Sequence, residues 1–244
     1  MKIDYIGKCL LLEEKGERVL VIGDLHLGYE GAMRASGVMI PVKLYNKCIA
    51  DFDLIIFKVG GFVENIVILG DIKHEFGFIL NDEWNLIVKF IEYVRAKCSK
   101  LVIIEGNHDV ILFPVLNKLG IVAVDFFIWN NVAFAHGDKK FEELYSDEVS
   151  YWVLGHGHPA VTLYEGVKKE KYKCFLVGDY KEKNHGKRDV IIVPSFFPLI
   201  EGTDARDFNL GFTWEFDLDK FEVKIVSSDL KVFDFGKLGK IKSY

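Results

Sequence analysis

The stretch LVIIEGNHD at residues 101–109 is an apolar run that leads directly into side chains able to bind a metal. Its first four residues are branched and do not alternate with polar ones, which indicates a strand buried on both faces. Asn107, His108 and Asp109 follow the run almost at once. Ligand sites in α/β sheets lie beyond the carboxyl ends of the strands, so this stretch predicts a buried strand with functional groups at its end.

Four more stretches have the same design, an apolar run followed by Asp or His beside a glycine. They are VLVIGDLH at 19–26, IVILGD at 66–71, VAFAHGD at 132–138 and YWVLGHGH at 151–158. Strand ends that lie side by side would bring these groups together, and the glycines allow sharp turns and close approach. The five stretches therefore predict a single site built at one edge of a sheet.

The donor types indicate which ligand this site binds. Carboxylate, imidazole and amide groups without thiolates suit Mn, Fe, Zn or Ni better than a structural zinc cage. The donors are too many for one tetrahedral site and about enough for two. We expect two divalent metal ions per chain, with Mn as the first choice, in the arrangement used for displacement at phosphorus.

Charge is distributed unevenly along the 244 residues. The formal net charge is −5, whereas residues 168–188 alone carry +5. The negative balance argues against nucleic-acid affinity over the whole surface. The basic segment has two interpretations, a solvated hairpin or a groove for a phosphate backbone beside the metals. In the second, Lys173 and Arg188 are the expected substrate contacts.

The remaining pattern predicts an α/β domain that spans residues 1–244. Apolar runs at 5–12 and 18–22 predict a hairpin, and helical spacing predicts helices near 44–59 and 82–94. The second half is expected to be rich in strands, including one at 211–217, and residues 234–244 to be a loose tail. No apolar stretch approaches the roughly 18 residues of a membrane span, and the N-terminus lacks a signal-peptide core, so we expect a cytoplasmic protein.

The order GD-x-H, GD, GNHD, H and GHGH resembles the calcineurin-like metallophosphoesterases. This resemblance implies a two-sheet β-sandwich flanked by helices, with a bimetal site at one edge. The roles that it implies are Asp24, His26 and His158 on one metal, Asn107, His136 and His156 on the other, and Asp71 bridging the two. His108 would contact the phosphate or its leaving oxygen, with Asp109 as the partner that orients it.

The implied reaction is hydrolysis of a phosphodiester by a hydroxide that bridges the two metals. A narrower resemblance, carried by GDIKHEFG at 70–77 and MRASGVMIP at 33–41, links the chain to the archaeal branch related to SbcD and ICC-like phosphoesterases. That branch is similar to the bacterial phosphoesterases associated with a DNA ligase and helicase. It implies a nuclease that acts on single-stranded nucleic acid or ends, with a DNA-repair helicase or ligase as a partner.

Several alternatives stay open at this stage. His74 either contacts the substrate at the pocket rim or caps a loop, and Ser195 either closes over the substrate or packs at a strand end. Asp138 either orients a ligand histidine or belongs to a turn. His185 is expected on the solvated surface. The function can also be that of a phosphodiesterase or phosphatase for cyclic or small nucleotides, or of a non-enzymatic scaffold.

Overall fold

The computed structural model describes residues 1–38, 44–74, 81–182, 186–207 and 211–241, which form two mixed sheets flanked by helices. The first sheet contains β1 (Lys2–Ile6), β2 (Cys9–Glu14), β3 (Glu17–Ile22), β4 (Val63–Ile68) and β5 (Cys98–Ile103). The second contains β6 (Phe126–Trp129), β7 (Val132–Ala135), β8 (Tyr151–Leu154), β9 (Pro159–Glu165), β10 (Lys168–Glu182), β11 (Gly186–Ile192), β12 (Thr203–Asp204), β13 (Glu222–Val226) and β14 (Val232–Lys237). The helices are α1 (Tyr29–Ala35), α2 (Leu44–Lys58), α3 (Asn81–Arg95) and α4 (Phe113–Lys118).

The first sheet has the order β1-β2-β3-β4-β5, with β3, β4 and β5 parallel to one another. Ile22 is level with Ile68, and Ile68 is level with Ile103. The three parallel strands therefore end along one line. The GD-x-H, GD and GNHD motifs leave the sheet at this common edge.

The second sheet has the order β12-β9-β10-β11-β8-β7-β6, with β13 and β14 joined through β10. Strands β7, β8 and β11 are parallel, so Ala135, Leu154 and Ile192 end at the same level. His136 follows β7, and the GHGH motif follows β8. Both sheets thus deliver metal-capable residues from the ends of parallel strands.

Successive residues of β8 show how the core is divided. Val153 packs in the large cluster between the two sheets, whereas its neighbour Trp152 packs in a second cluster on the outer face. This alternation is that of any β-strand, since successive side chains point to opposite faces. Because both faces are covered, the sequence of the strand is apolar throughout, as the unalternated run predicted.

Helices α2 and α3 cover the first sheet through amphipathic faces. Phe52 and Ile55 of α2 and Phe90 and Ile91 of α3 are fully buried, and the Phe52 and Phe90 rings are 6.2 Å apart. The helical spacing read from the sequence is confirmed for both helices. None of the helices in the described ranges has the length and apolar content needed to cross a membrane.

The predicted hairpin is confirmed as β2 and β3, although its first apolar run, residues 5–12, is divided between two strands because Gly7, at φ +58°, turns the chain between β1 and β2. Two other expectations about secondary structure are wrong. Residues 211–215 form a 3-10 helix that packs Phe212 in the outer cluster, where a strand was expected. The last residues are not loose up to 241, because β14 pairs with β13 and Leu238 is buried.

The buried carboxylate of Asp204 links β12 to β9 and leads to a prediction about acid stability. Asp204 accepts hydrogen bonds from the Thr162 amide at 2.8 Å and from Arg206 Nη2 at 2.6 Å. Burial opposes ionisation, but these hydrogen bonds hold the pKa of Asp204 well below its usual range. A carboxyl group whose pKa is lower in the folded protein than in the unfolded chain stabilises the fold at pH values above the unfolded pKa, which is about 3.9 for Asp. This stabilisation is lost as the pH falls below that value.

We therefore expect the free energy of unfolding of the wild type to drop below about pH 4. Asp204→Asn removes this contribution, so it lowers the free energy of unfolding at neutral pH. It also makes the decline of that free energy below about pH 4 less steep. Urea titrations across pH would measure both effects, with the exposed Asp147→Asn as the matched control. Superimposable pH profiles for wild type and Asp204→Asn would contradict the prediction.

Candidate metal centre

Two groups of side chains converge where the strand ends of the two sheets meet. In each group the potential ligand atoms lie within 4.8 Å of one another, and Asp71 belongs to both. The first ligand group is Asp24, His26, Asp71 and His158, and the second ligand group is Asp71, His136 and His156. Apart from Asn107, these groups contain the residues that the family resemblance implied for each metal.

In the first ligand group, ring nitrogens and carboxylate oxygens approach each other closely. His26 Nε2 lies 3.2 Å from His158 Nε2, and His158 Nε2 lies 3.2 Å from Asp24 Oδ1. Asp71 Oδ2 is 3.7 Å from His26 Nε2. These atoms face a common point, as ligands of a single cation do.

In the second ligand group, His136 Nε2 is the central atom. It lies 3.0 Å from Asn107 Oδ1, 3.0 Å from His156 Nδ1 and 3.4 Å from Asp71 Oδ1, so Asn107 joins this group. The other ring nitrogen of His136 donates to the Leu69 carbonyl at 2.7 Å. That bond fixes the tautomer, because a carbonyl only accepts, and it leaves the Nε2 lone pair for a metal.

The backbone is bent to bring these ligands into place. His26, Asp71, His156 and His158 all have positive φ, between 39° and 60°. Non-glycine residues seldom adopt this conformation, and such strain concentrates at functional sites. Each ligand therefore turns out of the line of its strand and towards the shared centre.

Close backbone packing at Gly106 gives a test of this geometry. A Cβ at this position would lie 2.3 Å from both the amide nitrogen and Oδ1 of Asp71. We expect Gly106→Ala to lower the free energy of unfolding by about 1–3 kcal/mol, through overpacking, and to weaken metal binding. Helical Gly31 has open space around its Cα, so Gly31→Ala is the control and should gain about 0.5–1 kcal/mol. Equal metal affinity in both variants would contradict the prediction.

The electrostatics fit a cation site. Burial, and then the charge of Asp24, raises the pKa of Asp71 to about 9. Burial and His158 lower the pKa of His26 to about 2, and burial and His136 lower the pKa of His156 to about 4. Neutral imidazoles are the form that binds metals, and two buried carboxylates call for positive charge between them. The donor set is thus suited to divalent cations.

His108 borders both ligand groups, but its orienting partner differs from the expected one. Its Nδ1 faces the His74 carbonyl at 2.5 Å, so Nε2 points to the site, 3.9 Å from Asp71 Oδ2. Asp109 instead accepts from the amides of Ile72 at 2.9 Å and Gly106 at 3.1 Å. The expected role of Asp109 is therefore corrected: its carboxylate ties the GD and GNHD loops together.

Of the three expected substrate contacts, only His74 lies at the site. Its ring is stacked on that of His108, with centroids 6.0 Å apart, and meets His26 at 5.5 Å. Lys173 donates to the carbonyl and hydroxyl oxygens of Ser195 at 2.8 and 2.9 Å. This nitrogen is engaged beneath the loop after β11, so Lys173 is not available as a surface contact.

Arg188 is placed even less favourably for substrate binding. It is buried, and its Nη2 donates to the carbonyls of Tyr145 and Ser146 at 2.8 and 3.1 Å. It precedes the metal-side end of β11, Ile192, by four residues, or roughly 13 Å along the strand. The prediction was misled because Arg188 belongs to the basic segment in sequence, whereas strand β11 places it away from the site.

The structure shows the surroundings of two of the residues whose roles were left open. Ser195 is buried and donates to the Ile200 carbonyl at 3.2 Å, which is the packing interpretation. Asp138 forms an ion pair with Lys139 at 3.9 Å. His185 and residues 75–77 of the narrower motif lie outside the described residues.

Sequence reasoning missed Lys73, which is fully buried beside Asp109. Its Nζ has no hydrogen-bond partner within the described parts of the chain, and its charge lowers the pKa of Asp109, which burial raises to about 7. It also missed the carbonyls of Leu69 and His74, which orient His136 and His108. Backbone carbonyls carry no sequence signal, so only coordinates reveal these two.

A comparison with protein families agrees with this geometry. The family model described as calcineurin-like phosphoesterase matches residues 17–228, most of the chain. The chain belongs to the calcineurin-like phosphoesterase family. As a member of this family it is a hydrolase, and its two ligand groups correspond to the dinuclear metal centre that the family typically binds. The superfamily resemblance read from the motifs is confirmed.

The fold is also that of a solved structure at low sequence identity. A nuclease MPE from Pseudomonas putida is similar with a TM-score of 0.61 and 16% identity, over 93% of this phosphoesterase and 100% of that chain. The phosphoesterase YfcE from E. coli gives a TM-score of 0.40 and 13% identity, over 90% and 98% of the two chains. No curated protein matches the sequence significantly.

Proposed function

We propose that this phosphoesterase is a phosphodiesterase that uses two divalent metals, with Mn²⁺ as the first choice, to cleave single-stranded nucleic acid or its ends. The observation that carries the proposal is the pair of ligand groups that share Asp71, with His108 directed at the same point. The side chains of His108 and His158 are each 15% exposed, whereas that of Asp24 is fully buried. The centre is therefore open to solvent, and to a substrate, at His108 and His158.

The chain's own residues divide the work of hydrolysis. When bound, the cations supply charge for the phosphoryl oxygens and lower the pKa of a water molecule. Asp24, Asp71 and Asn107 hold this charge in a fixed place, so little reorganisation accompanies the reaction. The His74 carbonyl keeps Nδ1 of His108 protonated, and Nε2 is thereby left to serve the leaving oxygen.

The proton balance at His108 follows from its surroundings. Burial lowers the pKa of its imidazole, so the ring is neutral when no anion is present. A bound phosphodiester places negative charge beside Nε2 and favours the protonated ring. The Nε2 proton then passes to the leaving oxygen as the phosphorus–oxygen bond breaks. A water molecule adds its oxygen to phosphorus and releases a proton to solvent, from which the ring of His108 is protonated again.

Two observations support a polynucleotide substrate. The Pseudomonas putida protein of similar fold is named a nuclease. A lysine-lined cavity lies close to the loop that supports Asp24. The narrower sequence resemblance points in the same direction, and a DNA-repair helicase or ligase stays the predicted protein partner.

The overall charge supports a second candidate, a phosphodiesterase or phosphatase for cyclic or small nucleotides. The net charge of −5 repels a long polyanion away from the site. Arg188 and Lys187 of the basic segment lie at the end of β11 that points away from the metals. A small substrate needs only the metal centre and its immediate rim.

An activity screen with Mn²⁺ separates the two candidates. Labelled single-stranded DNA and RNA, a blunt duplex, a cyclic dinucleotide and a chromogenic diester would be offered to the same preparation, with chelation as the control. Shortening of the single strands supports the first proposal, whereas efficient turnover of the cyclic dinucleotide without polynucleotide cleavage selects the second. Inactivity with every substrate, at less than one metal ion per chain, would reject both and favour a scaffold.

A further inference from the structure

A cavity of 330 Å³ lies next to the loop after β11, which contacts Asp24, and is lined by four lysines. We call it the lysine pocket and define it by Lys8, Lys47, Lys171 and Lys173 together with Asp51. Lys8 stands directly before β2, whose first residue, Cys9, pairs with Ile22 at the end of β3. The pocket therefore opens at the same edge of the first sheet that delivers Asp24.

Hydrogen bonds connect the walls of the lysine pocket to the metal ligands. The amide of Phe196 donates to the Asp24 carbonyl at 2.8 Å, while the Phe196 carbonyl accepts from Lys8 Nζ at 2.6 Å. The loop after β11 thus has a metal ligand on one side and the pocket on the other. The amide of Thr203 donates to the His158 carbonyl at 3.0 Å, beside Gly202.

The two inner lysines of the pocket, Lys8 and Lys173, form hydrogen bonds within the protein. Lys8 is buried and donates to Asp51 Oδ2 at 2.7 Å, and Lys173 is bound to Ser195. Burial, and then the nearby charge of Lys8, lowers the pKa of Lys173 well below its usual value. Even without Lys173, the lining carries three lysines against two acids, Asp51 and Glu201, so the pocket has an excess of positive charge.

The outer lysines retain donors that point to solvent. Lys47 Nζ donates to Asp51 Oδ1 at 2.6 Å, and its side chain is 48% exposed. Lys171 is exposed and donates to the Gly202 carbonyl at 3.3 Å. An ammonium group has three N–H donors, so each of these two lysines keeps two beyond its bond to the described residues. Charge and free donors together suit an anion with several acceptor oxygens.

We propose that the lysine pocket is an anion subsite that receives a second phosphate of the substrate, away from the phosphodiester held at the metals. The inference rests on the proposed function, because a polynucleotide has such a second phosphate and a simple diester does not. Lys47 and Lys171 bind this phosphate, while Lys8 and Lys173 hold the loop between subsite and metals in place.

The test compares two double variants that remove the same charge. Lys47→Gln/Lys171→Gln alters the exposed part of the pocket, and Lys187→Gln/Lys220→Gln alters exposed lysines outside it. Binding of a labelled, phosphorothioate single strand to the Mn²⁺-loaded protein would be followed by fluorescence anisotropy over a range of salt. The slope of log K against log salt should fall in magnitude by about 0.7 for each phosphate that the protein no longer neutralises.

We expect this change for the pocket variant and a clearly smaller one for the control. Equal slopes in the two variants, or no binding by the wild type, would overturn the proposal. Binding of inorganic phosphate to the wild type and to the pocket variant is the second measurement. If phosphate binds the wild type and not the pocket variant while strand binding is the same in both, the pocket takes a free anion and the substrate assignment is wrong. A slope difference without any strand cleavage would count against the nuclease alone and leave the subsite in place.

Discussion

Asp71→Asn is expected to eliminate phosphoester hydrolysis and to reduce the metal content from two ions per chain towards one. Asp71 is the only residue common to both ligand groups, so the neutral amide weakens both sites at once. The loss should exceed the roughly 10²–10⁴-fold that removal of one acid–base group costs. Metal analysis after gel filtration, together with turnover of the chromogenic diester, would measure both effects.

Asparagine is the right replacement because it preserves the local backbone. Asp71 has φ +48°, a conformation that Asn tolerates better than most residues, and an amide oxygen can still accept from the His108 amide. The exposed Asp147→Asn serves as the matched control and should keep full metal content. Wild-type activity in Asp71→Asn would mean that another residue bridges the metals or that the hydrolase activity lies elsewhere.

His108→Ala is expected to lower kcat on nucleic acid by about 10²–10⁴-fold while leaving metal content near that of the wild type. The bond from the His108 amide to Asp71 Oδ1, 3.0 Å, involves the backbone and survives the substitution. What disappears is the Nε2 group that faces the centre. Steady-state kinetics with metal analysis on the same samples would separate an effect on the chemical step from an effect on metal binding.

A comparison of two leaving groups distinguishes between proton donation by His108 and stabilisation of the phosphoryl oxygens. A nitrophenolate leaves without protonation, so His108→Ala should harm the chromogenic diester much less than a strand with an alkoxide leaving group. An equal loss on both substrates would contradict proton donation and indicate that His108 stabilises the phosphoryl oxygens instead. A variant that keeps full activity on both would remove His108 from the mechanism.

The candidate metal ligands that the structure brings together could be identified in the sequence because their signals are local. Each lies within a few residues of the end of an unalternated apolar run, as Asp24 does after residues 19–22. Parallel strands that end level with one another then place these residues along a common edge. The pattern of runs and glycines therefore contained both the fold class and the composition of the site.

The role of a side chain whose partners are distant in sequence could not be predicted from such local patterns. Asp109 follows His108 directly, which suggested a partnership, but its Oδ1 accepts from amides of the GD loop 36 and 37 residues earlier, and its Oδ2 accepts from the Gly106 amide. Lys173 belongs to a basic segment, yet its ammonium is engaged by Ser195, 22 residues further along. Net charge along a segment says nothing about which side chains turn inward.

The sequence by itself determined that Asp, His and Asn side chains stand at the ends of buried strands, because strand burial and chain order are local properties. Only the tertiary structure decided which of these side chains meet and which role each of them has. His26 and His158 are 132 residues apart, and their ring nitrogens are 3.2 Å apart only because two separate sheets pack face to face. The same packing created the lysine pocket, whose four lysines come from β10, α2 and the turn before β2. Contacts between distant elements set the surroundings of each side chain, and those surroundings fix its chemical role.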